Sequence, residues 1–256
     1  MINQNSSDAG QPKRAPVSRM RKRYIVRLIG RCIVLAVSVI VACVRPDEFR
    51  IIESGKFFSG FSLLHLLWGI WVADMLLQLF PSNAKISLGS IKMFPKHFRP
   101  IYEKANLKAL KQYIITTTQA AYRVMLLWVT LIAVIGLLHW KGVINDLTLF
   151  MITLIFYVCD LICVLIWCPF RLLMKTRCCT TCRIFNWDHL MMFSPLVFID
   201  SFYARSLFIL SVLAWLAWEI AIMLYPERFW EHTNSALKCA NCTDKLCTQY
   251  CRKLRT

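Results

Sequence analysis

Long apolar runs alternate along this chain with short segments that hold almost all of its charge. The first run is Tyr24 to Val44. Phe57 to Phe80 makes the second and is stopped by Pro81. Arg123 to His139 is the third, Leu147 to Trp167 the fourth, stopped by Pro169, and Leu207 to Tyr225 the fifth, stopped by Pro226. Each is near the ~20 residues that carry a helix through ~30 Å of hydrocarbon. Lipid offers no partner to open backbone groups, so all are predicted to be helices. Trp140, Trp167 and Trp230 stand near the run ends, where an interfacial belt places aromatic rings. The pattern predicts an all-α integral membrane protein with about five transmembrane helices.

The intervening segments divide the chain further. Residues 1–23 are expected as a disordered basic tail. Residues 24–80 and 123–169 read as two transmembrane hairpins, and 207–225 as a fifth span. Between the hairpins, 81–122 is a basic segment in which Ile101 to Gln119 reads as an amphipathic helix. Lys104, Lys108 and Lys111 share one face, and Leu107, Leu110 and Ile114 another. Such a helix lies on the inner membrane surface against anionic lipid, or packs on the inner ends of the spans. Within 170–206, Leu190 to Ile199 is apolar but too short to cross, and Pro195 disturbs a helix there. It is predicted as a re-entrant or interfacial element. Residues 226–256 form a cysteine-rich tail.

Loop charge orients the bundle. Residues 1–31 hold eight Lys/Arg against Asp8, residues 82–123 hold eight against Glu103, and residues 170–189 hold four against Asp188. Residues 45–56 hold three basic and three acidic residues, and 141–147 only Lys141 and Asp146. The first group is expected on the cytoplasmic side and the second outside, with the N-terminus cytoplasmic. Five crossings then put the C-terminal tail outside. Its six basic and three acidic residues pull the other way, and a crossing by 190–199 would return it inside.

Composition supports a membrane protein: 57% of residues are hydrophobic and only 18% are charged, against about a quarter in soluble domains. The net charge of +17 raises nucleic acid as a partner. The spans that interrupt the basic segments argue against it. The expected partners are the bilayer, anionic lipid at its inner surface, and further membrane subunits or a second copy of the chain. Ile40 to Cys43 resembles the end of a bacterial lipoprotein signal, but the leader is long and further spans follow.

Two sets of residues could carry chemistry. Asp74, Asp160 and Glu219 lie inside spans, where a carboxyl costs of order +2.5–3.5 kcal/mol by insertion scales. Each must face the bundle interior, paired or protonated. They read either as a proton or cation site, with His65 as a further member, or as buried links, with Arg27 or Arg31 as counter-charge. Asp74 and Asp160 each follow an aromatic residue by three positions (Trp71, Tyr157), and a proline closes each helix. This echo suggests a duplicated hairpin.

The second set is the cysteines. Seven of the 12 crowd into two polar segments. Cys178, Cys179 and Cys182 sit between Arg177 and Arg183, which favour the thiolate. Cys179-x2-Cys182 suits half of a zinc or iron–sulfur site. Cys239, Cys242, Cys247 and Cys251 fall within thirteen residues and could close a tetrahedral thiolate site, or form two disulfides if the tail is outside. Cys179, Cys182, Cys239 and Cys242 would make two halves of one site if both segments lay on one face, which a five-span topology forbids. Asp188 and His189 could add ligands beside Cys182, or serve as a cap and an interfacial contact. Cys32, Cys43, Cys159, Cys163 and Cys168 read as packing residues. No nucleotide-binding glycine loop, G-x-S-x-G or H-E-x-x-H is present. The leading expectation is a metal-binding or thiol-redox membrane protein. A proton- or cation-coupled transporter and a non-catalytic scaffold are the alternatives.

Overall fold

A computed structural model of the chain describes residues 18–80, 95–101, 106–175, 182–238, 241–242 and 246. It is an all-α membrane protein. Helix α1 spans Arg19–Val44, α2 Leu63–Leu79, α3 Leu107–Trp140, α4 Asp146–Leu165, α5 Phe170–Met174, α6 Asp188–Phe193 and α7 Phe202–Leu224. Four of them, α1, α3, α4 and α7, are long and apolar enough to cross a bilayer, and α2 is a shorter apolar helix.

Helix ends follow local chemistry. Ser18, Ser62, Asn106, Asn145 and Ser201 each accept a backbone N–H at the start of a long helix. Because Ser18 caps α1, the basic residues from Arg19 to Arg23 are helical rather than part of the tail. The second run loses its first residues, 57–62, to a turn before the Ser62 cap. The predicted amphipathic segment is not a separate helix. From Leu107 it continues without a break into the third span, since no Gly or Pro interrupts 107–135. At 34 residues, α3 is about 51 Å long, well beyond the hydrocarbon thickness. Gly142 closes the α3–α4 turn at φ 72°, a left-handed conformation that glycine adopts without strain.

One end of the bundle gathers the basic segments. There Met20 and Tyr24 of α1 pack with Leu161, Val164 and Leu165 of α4 and with Leu246 of the tail. The backbone of 99–101 pairs with 233–235, through Ser235 N–H to Arg99 O at 2.9 Å and Ile101 N–H to Thr233 O at 3.1 Å. Tyr113 stacks on Trp230 at 5.5 Å. The opposite end holds the α1–α2 turn, where Phe57 meets Phe202 at the start of α7 (4.8 Å) and Phe49 meets Phe150 at the start of α4 (5.8 Å).

The segment between α5 and α7 connects these ends. Trp187 contacts the Tyr122 ring of α3, Trp128 Nε1 donates to Ser194 Oγ at 3.0 Å, and the Phe198 ring lies against Gly136. The segment therefore runs beside α3 from residue 122 to residue 136, about 21 Å along the axis. It runs along the bundle as α6 followed by a 3-10 turn, Ser194–Phe198. Pro195 cannot donate a backbone hydrogen bond, so α6 ends there. Met191 to Leu196 and Ile199 are all buried, the condition under which irregular backbone is tolerated at membrane depth.

This passage bears on the expectation that the tail and the N-terminus lie on opposite faces, which supposes that 190–199 does not cross. With it, the described part of the tail returns to the same end of the bundle as the start of α1. The physical reason is that neighbouring helices, rather than length and lipid-facing hydrophobicity, bury the crossing. A methyl group added at Gly136 would fall inside the Phe198 ring, so glycine here allows the close approach. The core surrounds this passage: Trp71, Phe150, Phe193, Leu196 and Tyr203 are completely or almost completely buried.

Candidate functional site: buried ion pairs and a thiol-lined cavity

Each intramembrane carboxyl has a basic partner, and all three lie toward the basic end. Arg31 of α1 donates to Asp160 Oδ2 at 2.7 Å and to the Tyr157 carbonyl at 2.6 Å, while its guanidinium lies 4.0 Å from the Tyr157 ring centroid. This interaction ties α1 to α4. Only Met20, Tyr24 and Ser38 of α1 are buried, and most of its apolar face points outward. Asp74 of α2 faces His189 Nε2 at 3.4 Å, and Asp188 Oδ1 meets His189 Nδ1 at 2.9 Å. The two-donor form of the ring satisfies both carboxylates. Glu219 of α7 accepts from Trp187 Nε1 at 2.7 Å and pairs with Arg183, which also bonds Thr118 of α3. The residues that flank the buried crossing at its basic end thus neutralise two of the three carboxyls.

His65 does not join this group. It completes the Ser62 capping box of α2, accepts Ser62 N–H at 3.0 Å, and contacts the Phe57 carbonyl at 2.8 Å. That is the end of α2 remote from Asp74. Its spacing on the helix, nine residues or about 13 Å from Asp74, made the separation legible.

Beside the ion pairs is a cavity of about 280 Å³ between α3, α4 and the 182–192 segment. Trp128, Phe156 and Phe170 wall it, with ring centroids 4.8 and 6.3 Å from Trp128. Cys159, Cys163, Cys168 and Cys182 also line it, with Asp160 and Asp188. Cys163, near the end of α4, hydrogen-bonds Cys168 in the turn that follows. The helix unwinds before Pro169, and this brings the two thiols together across five positions. Cys168 is pushed down to about 7. The Cys163 hydrogen bond is the largest cause, burial opposes it, and the Arg171 and Phe170 backbone N–H groups and the Arg171 charge add to it. The direction of this shift favours the thiolate, the nucleophilic form.

The sequence reading set Cys159, Cys163 and Cys168 aside as packing residues, and the structure places them on one cavity. No motif marks a five-residue spacing; the only signal was Pro169, which ends the helix beside Cys168. Of the predicted metal ligands, Cys182 is buried and lines the cavity, and Cys242 is half-buried at the same end of the bundle. Cys178, Cys179, Cys239, Cys247 and Cys251 lie outside the described residues. Among the described residues, no three His, Cys, Asp or Glu side chains are grouped to hold a metal ion. Phe185 packs against both the cluster that holds Cys182 and the cluster that holds Leu246. No protein-family profile, curated protein or solved structure matches this chain.

Proposed function

We propose that this chain is a multi-pass membrane thiol–disulfide redox protein, with Cys163 and Cys168 as its reactive pair. The observation that carries the reading is that Cys163, Cys168 and Cys182 line one cavity. Oxidation joins the two sulfurs. Cys182, on the same cavity, is the partner for thiol–disulfide exchange, in which one S–S bond breaks as another forms and the displaced sulfur leaves as a thiolate. The basic end is cytoplasmic by its excess of Lys and Arg, which puts both termini inside. Zinc or an iron–sulfur cluster on Cys178, Cys179, Cys182, Cys239, Cys242, Cys247 and Cys251 is the second reading, supported by Cys182 and Leu246 lying in clusters that share Phe185. The paired state of Asp74, Asp160 and Glu219 supports a structural role for them over an ion path.

The test is mass mapping of the full-length protein after mild treatment with diamide, a water-soluble dithiol oxidant. A Cys163–Cys168 disulfide is expected, and its absence sinks the redox reading. Stoichiometric zinc, or iron with acid-labile sulfide, in the purified protein would instead establish the second reading.

A further inference from the structure

We infer that the cavity bounded by Trp128, Phe156 and Phe170 binds a membrane-soluble quinone, which is the oxidant of the Cys163–Cys168 pair; this rests on the redox reading above. Forming a disulfide from two thiols releases two electrons and two protons, and the acceptor has to take both. Three features restrict what that acceptor is. First, Cys159 and Asp160 of the apolar helix α4 line the cavity, and Cys159 is exposed. An acceptor dissolved in the bilayer reaches it without passing through water. Second, Trp128, Phe156 and Phe170 offer aromatic faces that suit a flat ring held by offset stacking, beside the polar groups of Asp160, Arg171 and Asp188. Third, about 280 Å³ is just below the usual span of ligand cavities, roughly 300–1,000 Å³. It accommodates a single substituted ring rather than a haem or a flavin. In the reaction, the S–H bonds of Cys163 and Cys168 are lost and one S–S bond forms. The two electrons and two protons convert both quinone carbonyls to hydroxyls.

The experiment uses the full-length protein in lipid nanodiscs, reduced and freed of reductant. The probe is a short-chain benzoquinone with every ring carbon substituted, so that thiols cannot add to the ring. One equivalent of hydroquinone per protein is expected, together with a Cys163–Cys168 disulfide in the mass map. Cys159→Trp, at an exposed lining position, is expected to slow oxidation by quinone at least tenfold. An inert dimethyl ether of the hydroquinone is expected to compete in the unmodified protein, a measurement that needs no variant. If diamide forms the disulfide but quinone does not, the quinone inference is overturned and the redox reading stands. If neither forms it, both fall. A quinone rate unchanged by Cys159→Trp and by the ether also overturns the inference.

Discussion

Asp160→Asn is the most informative single substitution, because it leaves Arg31 charged and buried with its carboxylate gone. The two side chains are only 11% and 20% exposed, so the pair is shielded from water on both sides. Removing one partner of such a pair typically costs about 3–5 kcal/mol, most of it the penalty for the charge left behind. The lower bound applies here. Asn keeps one acceptor oxygen, and Arg31 retains the Tyr157 carbonyl and ring. For a chain of this size, about 3 kcal/mol lowers Tm by roughly 6–12 °C. The assay is the fraction that stays monodisperse by gel filtration after heating in detergent. Replacing both members, Arg31→Met with Asp160→Leu, should restore stability to within about 1 kcal/mol, since no charge is then stranded. An Asp160→Asn protein that melts within about 1 °C of the parent would refute the reasoning, as would a double variant no better than the single one.

Other predictions rest on separate features. Gly136→Ala should destabilise the protein by about 1–3 kcal/mol through collision with the Phe198 ring, and adding Phe198→Leu should recover most of that loss in the same melting assay. Among the described residues the buried Tyr203 hydroxyl has no hydrogen-bond partner, so Tyr203→Phe should be neutral or stabilising by up to about 1 kcal/mol; a clear loss would reveal a partner. Cys168 alkylation by iodoacetamide should have its midpoint near pH 7, falling as the thiolate is protonated below that pH, and Arg171→Ala should move the midpoint upward. Reporter fusions at the two termini should report the same compartment; opposite compartments would contradict the passage of 188–199 through the bundle.

The apolar runs and the charge between them made the fold class legible, because lipid-facing helices must be long and uniformly apolar. The crossing by 188–199 was not legible in that way. It satisfies its backbone and side chains against protein, so it has neither the length nor the composition of a lipid-facing span. Its only outward sign was the tail's surplus of basic residues. The need for partners at Asp74, Asp160 and Glu219 could be read from the cost of burying a carboxyl. Arg31 could be named because it lies within α1, four residues from Arg27. His189 and Arg183 could not, since pairing them with α2 and α7 depends on the tertiary path of the segment they flank. The cysteine motifs drew attention to the polar arms, while the pair that meets on the cavity carries no motif.

The Pro195 passage has a consequence for biogenesis. An insertion machinery that selects segments by hydrophobic length would not admit 188–199 by itself, because its burial depends on α3 and α7 being already in place. Its seating must therefore follow the arrival of the last helix, as a late step of folding within the bilayer. Until that step is complete, the cavity lacks its inner wall, and the acidic groups on α2 and α7 have yet to meet their neutralising residues.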